Sequence, residues 1–138
     1  MKHHKQGIIN WFIRKLIDGQ EIEIFGDGKQ VRDINYVDDV VEAMLIAMAD
    51  ERSNGEAFNI GGTPLGLADL VKKMIAVYGK GKYRLIEYPS ESNKIEIGDY
   101  VADWSKFKRQ FGWEPKVSIE EGLKRTFEYY TKYKSHYW

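Results

Sequence analysis

The sequence contains no cysteine and only three prolines. Without thiols it can hold no disulfide framework, no thiolate zinc site and no cysteine nucleophile, and a reducing cytoplasm is the expected location. Neither charge is in excess: 21 Lys and Arg balance 21 Asp and Glu, with no long run of one sign. A binder of nucleic acid or of a membrane surface is expected to show a basic patch or excess, so both partner classes are set aside. No apolar run approaches the roughly 18 residues that cross a bilayer, and the opening Met1–Lys5 lacks the apolar centre of a signal peptide. His3 and His4 have too few neighbouring ligands to form a zinc site. Phosphate loops are missing too. Gly26-Asp-Gly28 has Val31 where a dinucleotide fingerprint needs its third glycine, Gly79-Lys-Gly81 fails similarly, and there is no Walker loop. No repeat, low-complexity tract or linker divides the chain, which reads as one domain over 1–138.

What is present is enough to build a core. Apolar residues make up 43% and are spread throughout, which excludes a disordered tail. Ile8, Ile9, Phe12, Ile13, Leu16 and Ile17 form a wide helical stripe, with Gly19 placed for a left-handed cap after it. Ile22-Glu-Ile-Phe25 alternates as a strand, Gly26-Asp-Gly28 supplies a turn, and Val31–Val37 reads as a second strand, so a hairpin is expected over 22–37. Asp39-Val-Val-Glu42 fits a capping box with Asp39 near the N-cap, opening a helix that carries Val40, Val41, Met44, Leu45 and Met48. Capping, rather than catalysis, is the expected role of Asp38 and Asp39. A short strand is expected at Ala57–Ile60, closed by Gly61-Gly62. A helix from Leu67 to Tyr78 follows, with Gly66 as a weak N-cap and Gly79 as its stop. Tyr83–Tyr88 alternates as a strand, Asp103–Phe111 is a short helix, and Ser118-Ile-Glu-Glu121 is a second capping box before the last long helix. The aromatic, basic tail to Trp138 is assigned no function.

A tyrosine base with a lysine partner is spelled twice as Tyr-x-x-x-Lys, at Tyr78/Lys82 and Tyr130/Lys134. With so many tyrosines and lysines about one chance match is expected. The first pair straddles Gly79 and Gly81, where i and i+4 no longer share a helical face, and the second lies at the chain's end. Neither has a dinucleotide site upstream. Arg32 is more informative: a guanidinium on a strand just beyond a glycine turn is well placed to grip phosphate bidentately.

The run FGDGKQVRDINYVDDVVEAM from Phe25, then AFNIGG, then IEIGDYVADWSKFKRQFGWEP, resembles the C-terminal part of the nucleotide-sugar epimerases and dehydratases. These are the extended short-chain dehydrogenases. The resemblance runs from about Lys5 to Tyr130, with the segments in family order and spacing. It implies a mixed α/β (α+β) fold, the C-terminal substrate-binding portion of such an enzyme, with helices packed on short strands and the Rossmann half absent. It also implies NAD(P) for a complete enzyme, whereas none is expected on this chain, which has no nicotinamide site and should not transfer hydride alone. The implied ligand is a UDP-sugar or another nucleotide sugar. Self-association, or a missing Rossmann half as partner, is expected to cover exposed strand edges and apolar surface.

By the same resemblance Arg32 lies near the nucleotide and its phosphates, with a surface ion pair as the alternative. Phe25 lies against base or ribose, with core packing as its rival. Asn59 faces the nucleotide, unless it is a buried structural amide. Lys5 or Gln6 approaches from the first helix. Where the family supplies an arginine for the diphosphate, Ser90–Lys94 has none; Lys94 replaces it only as a point charge, and Glu91 opposes an anion. A UDP-glucose 4-epimerase type is the expected parent. The alternatives are a fragment of a dTDP- or GDP-sugar 4,6-dehydratase, or a non-catalytic remnant or binding module.

Overall fold

The structure, a computed structural model, describes residues 7–88 and 98–138. In chain order it comprises α1 (Ile8–Ile17), β1 (Ile22–Phe25), β2 (Val31–Ile34), α2 (Val37–Ala49), a 3-10 turn (Glu51–Ser53), β3 (Thr63–Gly66), α3 (Leu67–Tyr78), β4 (Tyr83–Ile86), α4 (Ser105–Phe111), α5 (Ile119–Lys132) and a last helical turn, α6 (Lys134–Tyr137). This is the expected mixed α/β architecture, helices on short strands.

Local signals set several helix ends. After α1, Gly19 is left-handed at φ 70°; its N–H donates to Leu16 O, and the N–H of Gln20 donates to Lys15 O. Those two bonds satisfy carbonyls that the helix end leaves open. Gly66 caps α3 and Gly79 ends it at φ 83°. Ser118 caps α5, its Oγ accepting from the N–H of Glu121 at 3.2 Å. Ser118→Ala is expected to cost about 1 kcal/mol in urea unfolding, the usual worth of such a cap; an unchanged midpoint would show that the serine does not cap α5 in solution.

Strand pairing departs from the expected hairpin. β1 pairs parallel with β4, in the register Ile22↔Tyr83 to Phe25↔Ile86, while β2 pairs antiparallel with β3, Val31↔Gly66 to Ile34↔Thr63. The Gly26–Gln30 connection does not fold back on itself because its carbonyls serve α3. The N–H of Ala68 donates to Gly28 O and that of Leu67 to Gln30 O. Ile22 and Ile24 are fully buried beside α1 and α3, so β1 needs a partner that those helices also cover. β4, returning after α3, is that partner, and a parallel pair needs such a crossover.

Two further expectations fail for tertiary reasons. Residues 57–60 form no strand. Phe58 and Ile60 turn instead into an aromatic cluster with Phe107, Phe111 and Trp113, and pairing with β2 begins only after Gly61-Gly62. Asp39 is not the cap of α2: Tyr36 is the N-cap, and Asp39 sits one turn inside, buried, its Oδ2 accepting from the N–H of Val117 at 3.0 Å. The helix starts two residues before the capping box, so the carboxylate that the sequence assigns to a cap ties the approach to α5 onto α2.

The main core joins Phe12, Ile13 and Leu16 of α1, Ile22 and Ile24 of β1, four side chains of α3, and Leu123 and Phe127 of α5. The aromatic cluster forms a second core centred on Ala43, Phe107 and Trp113.

Candidate functional site

β1 delivers Phe25 to the edge of the main core, where it is 38% exposed; the buried residues beside it in sequence are Ile22 and Ile24. Phe25 is not among the buried residues of that core. Gly26 then turns the chain at φ 69°, and a Cβ there would lie 2.5 Å from Tyr88 Cε2. Only glycine lets the Tyr88 ring close over this turn. The ring does so, its centroid 5.8 Å from that of Phe25, and its Oη accepts from Gln30 Nε2 at 2.6 Å. Trp11 and Lys15 of α1 complete a cleft of about 150 Å³. Lys15 Nζ lies over the Trp11 ring and donates to Glu21 O. Glu23, also on the cleft, is held below the usual carboxylate range, first by its hydrogen bond to Arg84 and then by the charge of Lys15.

Arg32 stands two residues beyond Gln30, about 7 Å along an extended chain. Its Nη1 donates to Val31 O at 2.8 Å and to Gly98 O at 2.5 Å. The 98–100 segment lies along β2, with the N–H of Tyr100 donating to Val31 O and Asp99 Oδ1 accepting from the N–H of Val31. The guanidinium is thus oriented by backbone at a strand edge.

Phe25 and Arg32 therefore belong to one short segment, while Asn59 stands apart. It is exposed, between Phe58 and Ile60 of the second core, and does not line the Phe25 cleft. Asn35 is a half-buried amide instead, whose Nδ2 donates to Gly61 O at 2.9 Å and whose Oδ1 is enclosed without a partner. Lys5, Gln6 and Lys94 lie outside the described residues. Gln30, Tyr88, Trp11 and Lys15 were not legible as site residues from the sequence. Only Gln30 carried a signal, its place inside the Phe25–Arg32 run. The Tyr78 ring stacks on Phe127, and Tyr130 packs against Tyr137 and Trp138.

A second surface stands out. Val37, Val41, Met44, Leu45 and Met48 follow at i, i+4, i+7, i+8 and i+11 on α2 and are 46–83% exposed. Val37 also lines a cavity of about 500 Å³ between the start of α1, Asn35 and α5. An exposed apolar stripe of this kind is a candidate interface. Among the described residues no helix is long and apolar enough to cross a membrane, and no group of three His, Asp or Glu is placed to hold a metal ion.

The profile of the NAD dependent epimerase/dehydratase family matches residues 1–61. The UDP-N-acetyl-alpha-D-glucosaminuronate decarboxylase of Bacillus cytotoxicus is 35% identical over 90% of this chain and 40% of its own length. The chain belongs to the NAD-dependent epimerase/dehydratase family. Solved members of the family share the fold. The UDP-glucose 4-epimerase of Thermotoga maritima, determined with UDP-glucose, is 39% identical, with a TM-score of 0.77 over 93% of this chain and 40% of that one. The dTDP-glucose 4,6-dehydratase of Streptomyces venezuelae, with NAD bound, is 28% identical, with a TM-score of 0.82 over 98% and 41%. This family member thus spans about 40% of the length of these relatives, whose names cover a decarboxylase, an epimerase and a dehydratase.

Proposed function

We propose that this chain is the C-terminal, nucleotide-sugar-binding portion of an NAD-dependent nucleotide-sugar epimerase of UDP-glucose 4-epimerase type. The base or ribose lies against Phe25 and the diphosphate at Arg32. The supporting observation is their arrangement: an aromatic cleft and a backbone-oriented guanidinium on one segment of eight residues, 25–32. A planar guanidinium fork suits two phosphate oxygens, and a flat ring against an aromatic face suits a nucleobase. Lys5, Gln6 and Lys94 are proposed to approach the same ligand, Lys94 as a point charge, and Asn59 from the segment before Gly61.

Among the described residues the glycine turn does not fit NAD. The Gly26-Asp-Gly28 turn leads from one strand into another, not into the helix whose N-terminus would face a pyrophosphate. Oxidation and reduction of the sugar are accordingly assigned to the part of the family enzymes that this chain does not span. That part is also the proposed cover for the α2 stripe.

Titration of the chain with UDP-glucose, followed by calorimetry, tests the reading. Arg32→Ala is expected to weaken binding by between about tenfold and a hundredfold, the worth of hydrogen bonds to a charged group. An unchanged dissociation constant, or no binding by the unsubstituted chain, would overturn the assignment.

A further inference from the structure

The aromatic tail, without a role in the sequence, is joined to the Phe25 cleft by a short chain of contacts. Lys134 and Trp138 stand four apart on the last helical turn, where the N–H of Trp138 donates to Lys134 O at 3.0 Å, so their side chains are neighbours. Both close on Asp18, the C-cap of α1. Its Oδ1 accepts from Lys134 Nζ at 2.5 Å and from Trp138 Nε1 at 3.1 Å, and its Oδ2 lies 3.6 Å from Arg14 Nε. A carboxylate at a helix C-terminus meets the negative end of the dipole. Two cations and an indole N–H offset that cost here. Burial works to raise the pKa of Asp18, yet the hydrogen bonds from Lys134 and Trp138 outweigh it and hold the group below the usual carboxylate range.

Arg14 carries this clasp to the cleft. Trp11, Arg14 and Asp18 follow at i, i+3 and i+7 on one face of α1. The Arg14 guanidinium lies 5.3 Å from the centre of the Trp138 ring and 5.9 Å from that of Trp11. A guanidinium over ring faces is attracted to each of them. Trp11 in turn lines the cleft with Phe25 and Tyr88.

We infer that Trp138 is a positioning residue of the cleft: through Arg14 it braces the Trp11 ring, so that the C-terminal turn sets the affinity for the nucleotide sugar. The inference rests on the nucleotide-binding reading above. Calorimetric titration with UDP-glucose tests it. Trp138→Ala is expected to weaken binding about two- to fivefold, the worth of one contact between a cation and a ring, and Arg14→Gln by a similar factor. Trp138→Phe keeps a ring for Arg14 but drops the N–H to Asp18; it is expected to melt earlier and yet retain most of the affinity. In a Trp11→Leu chain, Trp138→Ala is expected to weaken binding no further, whereas a merely structural role would persist there.

Parent-like affinity of Trp138→Ala overturns the inference and leaves the cleft standing as a nucleotide site. An undiminished loss in the Trp11→Leu chain overturns it also; should that chain not fold, parent-like affinity of Arg14→Gln does so. Failure of the unsubstituted chain to bind UDP-glucose overturns the nucleotide-binding reading, and this inference with it.

Discussion

Gly62→Ala is expected to unfold the chain or to cost more than about 3 kcal/mol, above the usual range for an overpacked site. A Cβ at Gly62 would lie 2.0 Å from Ile34 O and 2.6 Å from its carbonyl carbon. Both are backbone atoms of β2, so no rotamer change relieves the overlap; β3 would have to leave the Ile34↔Thr63 register. The neighbouring glycines supply the contrast. At Gly61 the added carbon meets the Trp104 and Asp33 side chains at 2.7 and 2.8 Å before any backbone, so part of the strain can be relieved by their movement. At Gly66 nothing lies closer than 3.7 Å, and Gly66→Ser, a better N-cap for α3, should stabilise by about a few tenths of a kcal/mol. Urea unfolding of the three variants measures the order. A Gly62→Ala midpoint equal to that of the parent would mean that β2 and β3 do not approach as described. Because β2 carries Arg32, any folded Gly62→Ala chain is also expected to lose affinity for UDP-glucose.

The second large effect concerns α2. If its stripe is covered by another segment in the complete assembly, the chain alone should associate and bind an apolar fluorescent dye. Val41→Glu combined with Leu45→Lys places opposite charges one helical turn apart, in the favourable order. Both residues are about half exposed, so stability should change by no more than about 0.5 kcal/mol. Dye fluorescence should fall severalfold, and sedimentation should move to the 16.1 kDa monomer. A parent chain already monomeric, with little dye bound, would sink the proposal. The stripe would then be an ordinary apolar surface.

The chain's local chemistry was legible from its residues. Six apolar positions from Ile8 to Ile17 with Gly19 behind them, Gly66 and Gly79 around α3, and Ser118 before α5 all act within four or five residues, the reach of a helix cap. The Phe25–Asp33 run and the two later segments were sufficient to place the chain in its family. Pairing was not legible in the same way. Ile22-Glu-Ile-Phe25 reads as a strand whichever partner it takes, and β4 takes that place because α1 and α3 bury Ile22 and Ile24 of β1 and β4 follows directly on α3. Asp39 reads as a cap because the donor it serves, Val117, is 78 residues away. Tyr88 reads as the end of a strand, yet it closes the Phe25 cleft, since Gly26 admits its ring and Gln30 holds its hydroxyl.

The sequence by itself thus determined where α3 and α5 start and where α1 and α3 stop, that a core exists, and to which family the chain belongs. These follow from periodicity, capping and motif order, all of which act along the chain. Only the tertiary structure decided which strands pair, which side of α2 stays exposed and which side chains share a cleft with Phe25. Those outcomes depend on contacts between residues tens of positions apart, where burial of one face selects among partners that local propensity leaves equal.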